Sequence, residues 1–199
     1  MTNYGEVLTY WYLRLNGFFP ITNFVFHDVY QRENRKYSSD CDLLAVRFPY
    51  VSEKIRGKDL DWDQDLLKYL GSTLDRPIGL VVQVKTGEFS KKDLRNFFSE
   101  DVLTYAIRRI GLVEKDKVPN LVDELMNCDK LIKDDFILAK LAVFGRPSRE
   151  DNKNPFIIKD IHELDKFIRD RIKEYENTKR ADRMFFSDPL IQYLAGMGQ

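Results

Sequence analysis

The sequence predicts an α/β fold in three layers, a mixed central β-sheet flanked by helices, and three observations carry that expectation. "DFILAKLAVFG", Asp135 to Gly145, is almost continuously apolar, as a strand covered on both faces has to be. "IGLVVQVK", Ile78 to Lys85, is a second apolar run of strand length. Around these runs lie segments of helical spacing, such as Ile161, Leu164, Ile168 and Ile172, whose apolar stripes suit the covering layers. At 199 residues, with 43% hydrophobic and 13% aromatic content, the chain is long enough for one domain with a substantial core. We read residues 1–199 as that single domain, with an insertion at about 50–76.

In chain order, Asn3 is placed to cap a helix through "YGEVLTYWYLRLN", with Glu6 at its third position and Gly17 to end it. "ITNFVFHDVYQ" reads as a first strand and, after the polar loop "RENRKYSS", "DCDLLAVRF" reads as a second. The 50–76 insertion holds a short helical pattern in "DQDLLKYLG". The strand at 78–86 follows. Ser90 and Ser99 are candidate caps for helices in "KKDLRNFF" and "EDVLTYAIRRI", the latter closing on Arg108, Arg109 and Gly111. "PNLVDELMN" reads as a further short helix, and Asp135 to Gly145 as the buried strand, interrupted only by Lys140. Asp160 and Glu163 form a capping-box pattern ahead of the helix of Ile161 to Ile172, and "DPLIQYLAG" reads as a last helix.

Two polar side chains stand out in the 78–86 strand. Strand geometry turns Leu80, Val82 and Val84 to one face and Val81, Gln83 and Lys85 to the other, so an amide and an ammonium share a face of an interior strand. Buried without partners, each would cost roughly 1–3 kcal/mol, more for the charge. They belong either to a structural network or to a site. Glu6 on the first helix and Asp42 at the entrance to the second strand are the acidic groups that the element order brings forward.

This arrangement, quoted as "GEVL", "SDCDLLAV" and "VVQVKTG", resembles the PD-(D/E)XK nuclease superfamily, in which a helix supplies an acid, a strand supplies Asp, and the next strand supplies Glu, Asp or Gln followed two residues on by Lys. The resemblance spans residues 3 to 145 in element order and is nearest to Holliday-junction resolvases and Mrr-type restriction nucleases. It implies a restriction endonuclease-like fold and a metal-dependent endonuclease acting on DNA. It also implies roles: Asp42 as principal ligand for Mg2+ or Mn2+, with the Gln83 amide oxygen, the Val84 carbonyl and Glu6 as further ligands. Lys85 would position the attacking water or stabilise the pentacovalent phosphorus. Homodimers, which allow both strands to be cut, are implied as well. Gln83 in place of a carboxylate is a departure that removes one negative charge, and it keeps open a catalytically inactive, nuclease-like DNA-binding or scaffolding protein.

Each residue also has a plainer reading. Glu6 suits a capping box with Asn3, Asp42 suits a strand end, with Asp40 the next candidate for its role, and Lys85 can extend to solvent from a strand end. Lys91 and Lys92 at a helix start, Arg146 and Arg149 in "RPSREDNKNP", and Lys179, Arg180 and Arg183 are candidate contacts to a nucleic-acid backbone or simply surface charge. "DLDWDQD" lacks the glycine and terminal glutamate of a calcium loop and reads as an acidic helix start, and "HELDK" lacks the second histidine of a zinc-protease helix. Two histidines and two distant cysteines do not make a structural zinc site, and the cysteines read as free thiols. There is no glycine-rich phosphate loop, dinucleotide fingerprint or nucleophile elbow. Lys plus Arg and Asp plus Glu both total 32, so any basic surface is local. No run is long and apolar enough to span a bilayer and no leader is visible, which leads us to expect a cytoplasmic protein with no membrane partner.

Overall fold

The structure is a computed structural model that describes residues 3–25, 40–52, 58, 61–71, 75–87, 97–146, 155–174 and 189–196. Its strands are β1 (Phe19–Val25), β2 (Asp40–Arg47), β3 (Ile78–Lys85), β4 (Lys130–Ile132), β5 (Ile137–Phe144) and β6 (Ile157–Asp160). Its helices are α1 (Tyr4–Leu15), α2 (Gln64–Leu70), α3 (Glu100–Ile110), α4 (Val118–Met126), α5 (Ile161–Glu174) and α6 (Pro189–Gly196).

The strands form one mixed sheet in the order β1-β2-β3-β5. β1, β2 and β3 are antiparallel neighbours, whereas β3 and β5 run parallel, from Ile78↔Ile137 to Lys85↔Phe144. On the far edge of β5, β4 pairs antiparallel with its first half and β6 parallel with its second. The parallel centre explains the sequence pattern: β5 is buried along its whole length and β3 up to its last residue, because helices cover both faces. One core lies under α1, α2 and α5 and holds Leu43, Leu80, Val82, Leu141 and Leu164. The other lies under α3 and α4 and holds Leu44, Val81, Leu103, Leu138 and Phe144. The α/β class and mixed sheet expected from the sequence are observed.

Helix starts follow the local chemistry. Asn3, Asp63 and Ser99 each accept a backbone N–H from the first turn of α1, α2 and α3, and Gly111 closes α3 in the left-handed region at φ 73°. Of the expected helix "KKDLRNFF", residues 91–96 fall outside the described residues, as does the first strand beyond Val25. β1 begins two residues earlier than the sequence suggests, at Phe19, and takes in Pro20, which an edge strand tolerates. Within the 50–76 segment, Trp62, Leu66, Leu67 and Leu70 join the core under α1. No helix among the described residues is long and apolar enough to cross a membrane.

Candidate active site

Alternation along β3 sends Val82 and Val84 into the core under α1 and Val81 into the core under α3. Gln83 and Lys85 therefore stand on the α3 side, level with Ala142 and Phe144 of β5. Gln83 is 8% exposed and Lys85 is half-buried at the strand's end.

The neighbouring strand supplies Asp42 through a fork. β2 and β3 pair from Arg47↔Ile78 as far as Leu43↔Val82, whereas β2 stays in register with β1 down to Asp40↔Val25. At the fork the alternation of β2 breaks: Leu43 packs under α1, and Cys41, only two residues away, packs on the α3 side. Asp42 occupies the break, and its Oδ2 accepts the Val84 N–H at 2.6 Å. A side-chain carboxylate thus takes an amide that a continuing ladder would have given to a backbone carbonyl. The bond is short, as charge-assisted bonds are.

Glu6 reaches the same end of the sheet from α1. A Cβ added at Gly5 would lie 2.3 Å from Thr86 Cγ2 and 2.9 Å from Val84 Cγ1, so only glycine lets the first turn of α1 settle on the end of β3. Tyr4 reaches Asp165 of α5 at 3.4 Å, and the Tyr12 ring meets Phe167 of the same helix. At roughly 100° per residue, Glu6 lies about 200° around the helix from Tyr4, turned away from that contact with Asp165. It is 8% exposed. Asn3 Nδ2 donates to Glu6 Oε1, while Glu6 Oε2 is buried and has no hydrogen-bond partner among the described residues.

The rim beside Lys85 is tight. The Gly145 N–H donates to the Lys85 carbonyl at 2.9 Å, and a Cβ at Gly145 would lie 2.7 Å from the Thr86 carbonyl oxygen. Arg146, the next residue, is exposed at this end of the sheet. Lys91, Lys92, Arg149, Lys179, Arg180 and Arg183 lie outside the described residues, as does the side chain of Asp40.

The geometry therefore joins Asp42 directly to β3 and brings Glu6, Gln83, Lys85 and Arg146 to one end of the sheet. Glu6 comes from the α1 side, Gln83 and Lys85 from the α3 side. No three His, Cys, Asp or Glu side chains gather among the described residues. The oxygen donors at this end of the sheet are two carboxylates, the Gln83 amide and the Val84 carbonyl. Such a hard, all-oxygen set fits Mg2+ or Mn2+, and the orphaned Glu6 Oε2 is the kind of buried acceptor that calls for a partner.

Sequence reasoning missed a second polar cluster on the α1 side. Asp63 Oδ2 accepts from Tyr12 Oη at 2.5 Å and from Lys159 Nζ at 2.8 Å, and the Asp63 N–H donates to Asn16 Oδ1. The Arg47 guanidinium, 1% exposed, donates from Nε to the Asn16 carbonyl and stacks on Trp62 at 4.5 Å. Asp63 was read only as part of an acidic helix start, and its partners, 51 and 96 residues away, leave no local pattern. A cleft of about 340 Å³ between α2 and the β4–β6 seam is lined by Asp65, Tyr69, Asp129 and Lys159 and by none of the candidate residues at the fork. Comparison with family models, with curated proteins and with solved structures finds no match for the chain.

Proposed function

We propose that this chain is a divalent-metal-dependent endonuclease of restriction endonuclease-like fold that hydrolyses phosphodiester bonds in DNA at the β2–β3 fork. The observation that carries the reading is the 2.6 Å bond from the Val84 N–H to Asp42 Oδ2, made where the two strands part. It fixes a carboxylate beside the strand that bears Gln83 and Lys85, with the buried Glu6 Oε2, which has no partner among the described residues, arriving from α1.

In this reading Asp42, Glu6, the Gln83 amide oxygen and the Val84 carbonyl hold Mg2+ or Mn2+. When bound, the ion lowers the pKa of its water and neutralises phosphate charge. Asp42 is already oriented by the Val84 amide, so little order has to be gained on binding. Lys85 offers an ammonium to the charge that builds on phosphorus. Arg146, on the same rim, suits a phosphate of the backbone. Two copies acting together would cut both strands of a duplex.

A second reading, a nuclease-like DNA-binding or scaffolding protein without catalysis, is favoured by Gln83. At 8% exposure, a neutral amide replaces the carboxylate that would strengthen metal binding.

The deciding experiment incubates supercoiled, linear, branched and single-stranded DNA with the protein and Mn2+ or Mg2+, beside Asp42→Asn and Lys85→Met. Asn at position 42 still accepts the Val84 amide but lacks the charge, which separates folding from chemistry. Cleavage by the parent, with at least about 100-fold loss in both folded variants, is expected. Binding of DNA without cleavage in either metal decides for the scaffold.

A further inference from the structure

Resting on the nuclease reading, we infer that Asn3 is a positioning residue for the metal-binding carboxylate of Glu6 and that its side chain has two separable jobs. Asn3 is the N-cap of α1, with φ −82° and ψ 163°, and its Oδ1 accepts the Glu6 N–H at 3.0 Å. That contact is the ordinary half of a capping box, which Ser, Thr, Asp or Asn can make. In the usual second half, the third-position Glu reaches back to the cap residue's own backbone N–H. Here Oε1 of Glu6 instead takes the side-chain amide of Asn3, through Nδ2. Of the good N-cap residues only asparagine supplies both an acceptor for the Glu6 N–H and a side-chain N–H donor for the Glu6 carboxylate.

The consequence falls on the other oxygen. With Oε1 held on the cap, exchange of the two carboxylate oxygens by rotation is disfavoured, and Oε2 stays buried and without a hydrogen-bond partner among the described residues. Gly5, pressed against Thr86 and Val84, fixes the depth of the same turn. The turn therefore holds one carboxylate oxygen available at the end of β3, where the nuclease reading needs a ligand. Groups that orient a metal ligand in this way typically change metal affinity by about 10- to 100-fold when removed.

The test compares Asn3→Ser, which keeps the cap acceptor and loses the Nδ2 donor, with Glu6→Gln and the double variant. Mn2+ binding is read from the spin-resonance signal of free Mn2+, and thermal unfolding is measured without metal. The expected result is a melting temperature for Asn3→Ser close to the parent, with Mn2+ affinity lower by about 10-fold. Cleavage should recover at saturating Mn2+. In the Glu6→Gln background, Asn3→Ser should change Mn2+ affinity no further, because its effect runs through Glu6. An Asn3→Ser variant that binds Mn2+ like the parent overturns the positioning role and leaves the nuclease reading standing. Equal losses of affinity with and without the Glu6 carboxylate also overturn it. A parent that binds no Mn2+ removes the nuclease reading, and the positioning role with it.

Discussion

At the scale of single residues, the sheet carries one charge that its surroundings do not welcome. Lys140 sits in the middle of β5, level with Val81 of β3, and is 1% exposed. Burial pulls its pKa from 10.5 down to about 8, against smaller opposing contributions from Cys128 and Asp129. Its Nζ lies 5.7 Å from the Phe98 ring centroid, a cation–π contact at long range. Below pH 8 the ammonium is charged in both the folded and unfolded chain, so the full penalty of burying it is present. Between 8 and 10.5 the unfolded chain holds the proton and the folded one does not, so stability rises with pH across that window. Lys140→Met should therefore be more stable than the parent at pH 7, by about 2–3 kcal/mol. The advantage should vanish as pH approaches 10.5. Urea unfolding of both proteins from pH 7 to 10.5 measures this, and a gap that stays constant with pH contradicts it.

At the scale of elements, the seating of α1 on β3 sets where Glu6 stands at the end of the sheet, and in the nuclease reading that position governs metal binding. An alanine at Gly5 gains roughly 0.5–1 kcal/mol of helix propensity but drives a methyl to 2.3 Å from Thr86 Cγ2. Overpacking of this kind costs about 1–3 kcal/mol. Gly5→Ala should lower the melting temperature by a few degrees and weaken Mn2+ binding more than Leu15→Ala, placed at the far end of the same helix. Equal Mn2+ affinity in the two variants would uncouple the seating from the site. The elements that repeat a period over two turns or more were legible: α1, α3, α5, β3 and β5 show caps or apolar runs that compete with little else. β4 and β6 were not read, because three and four residues cannot display an alternation and their existence depends on the edge of β5. At the site, Gln83 and Lys85 were legible because polar groups in an apolar strand are expensive. The fork at Asp42 was not, since breaking the alternation between Cys41 and Leu43 is a matter of which neighbours each residue meets.

At the scale of the whole molecule, Asp63 ties three elements that the sequence keeps far apart. It caps α2 through the Leu66 N–H, accepts from Tyr12 of α1, and pairs with Lys159 of β6 at 2.8 Å, both partners in that pair being mostly buried. Burial alone would raise the Asp63 pKa, but hydrogen bonds from Lys159, Tyr12 and the Leu66 amide outweigh it, and the folded value lies below the ordinary 3.8. A carboxylate whose folded pKa is depressed stabilises the protein above its unfolded pKa and loses that contribution as pH falls through the folded one. Asp63→Asn should therefore destabilise the chain at pH 7, by about 2–3 kcal/mol. The difference from the parent should narrow once pH drops below about 4, because the parent then loses the same charge. The amide keeps an oxygen for the Leu66 cap, so the loss reports on the contacts to α1 and β6 rather than on α2. Chemical denaturation at pH 7, 5, 4 and 3 follows the two proteins. Convergence at low pH means that one carboxylate holds the α1 layer to the edge of the sheet, and curves that stay parallel mean that the surrounding packing does so without it.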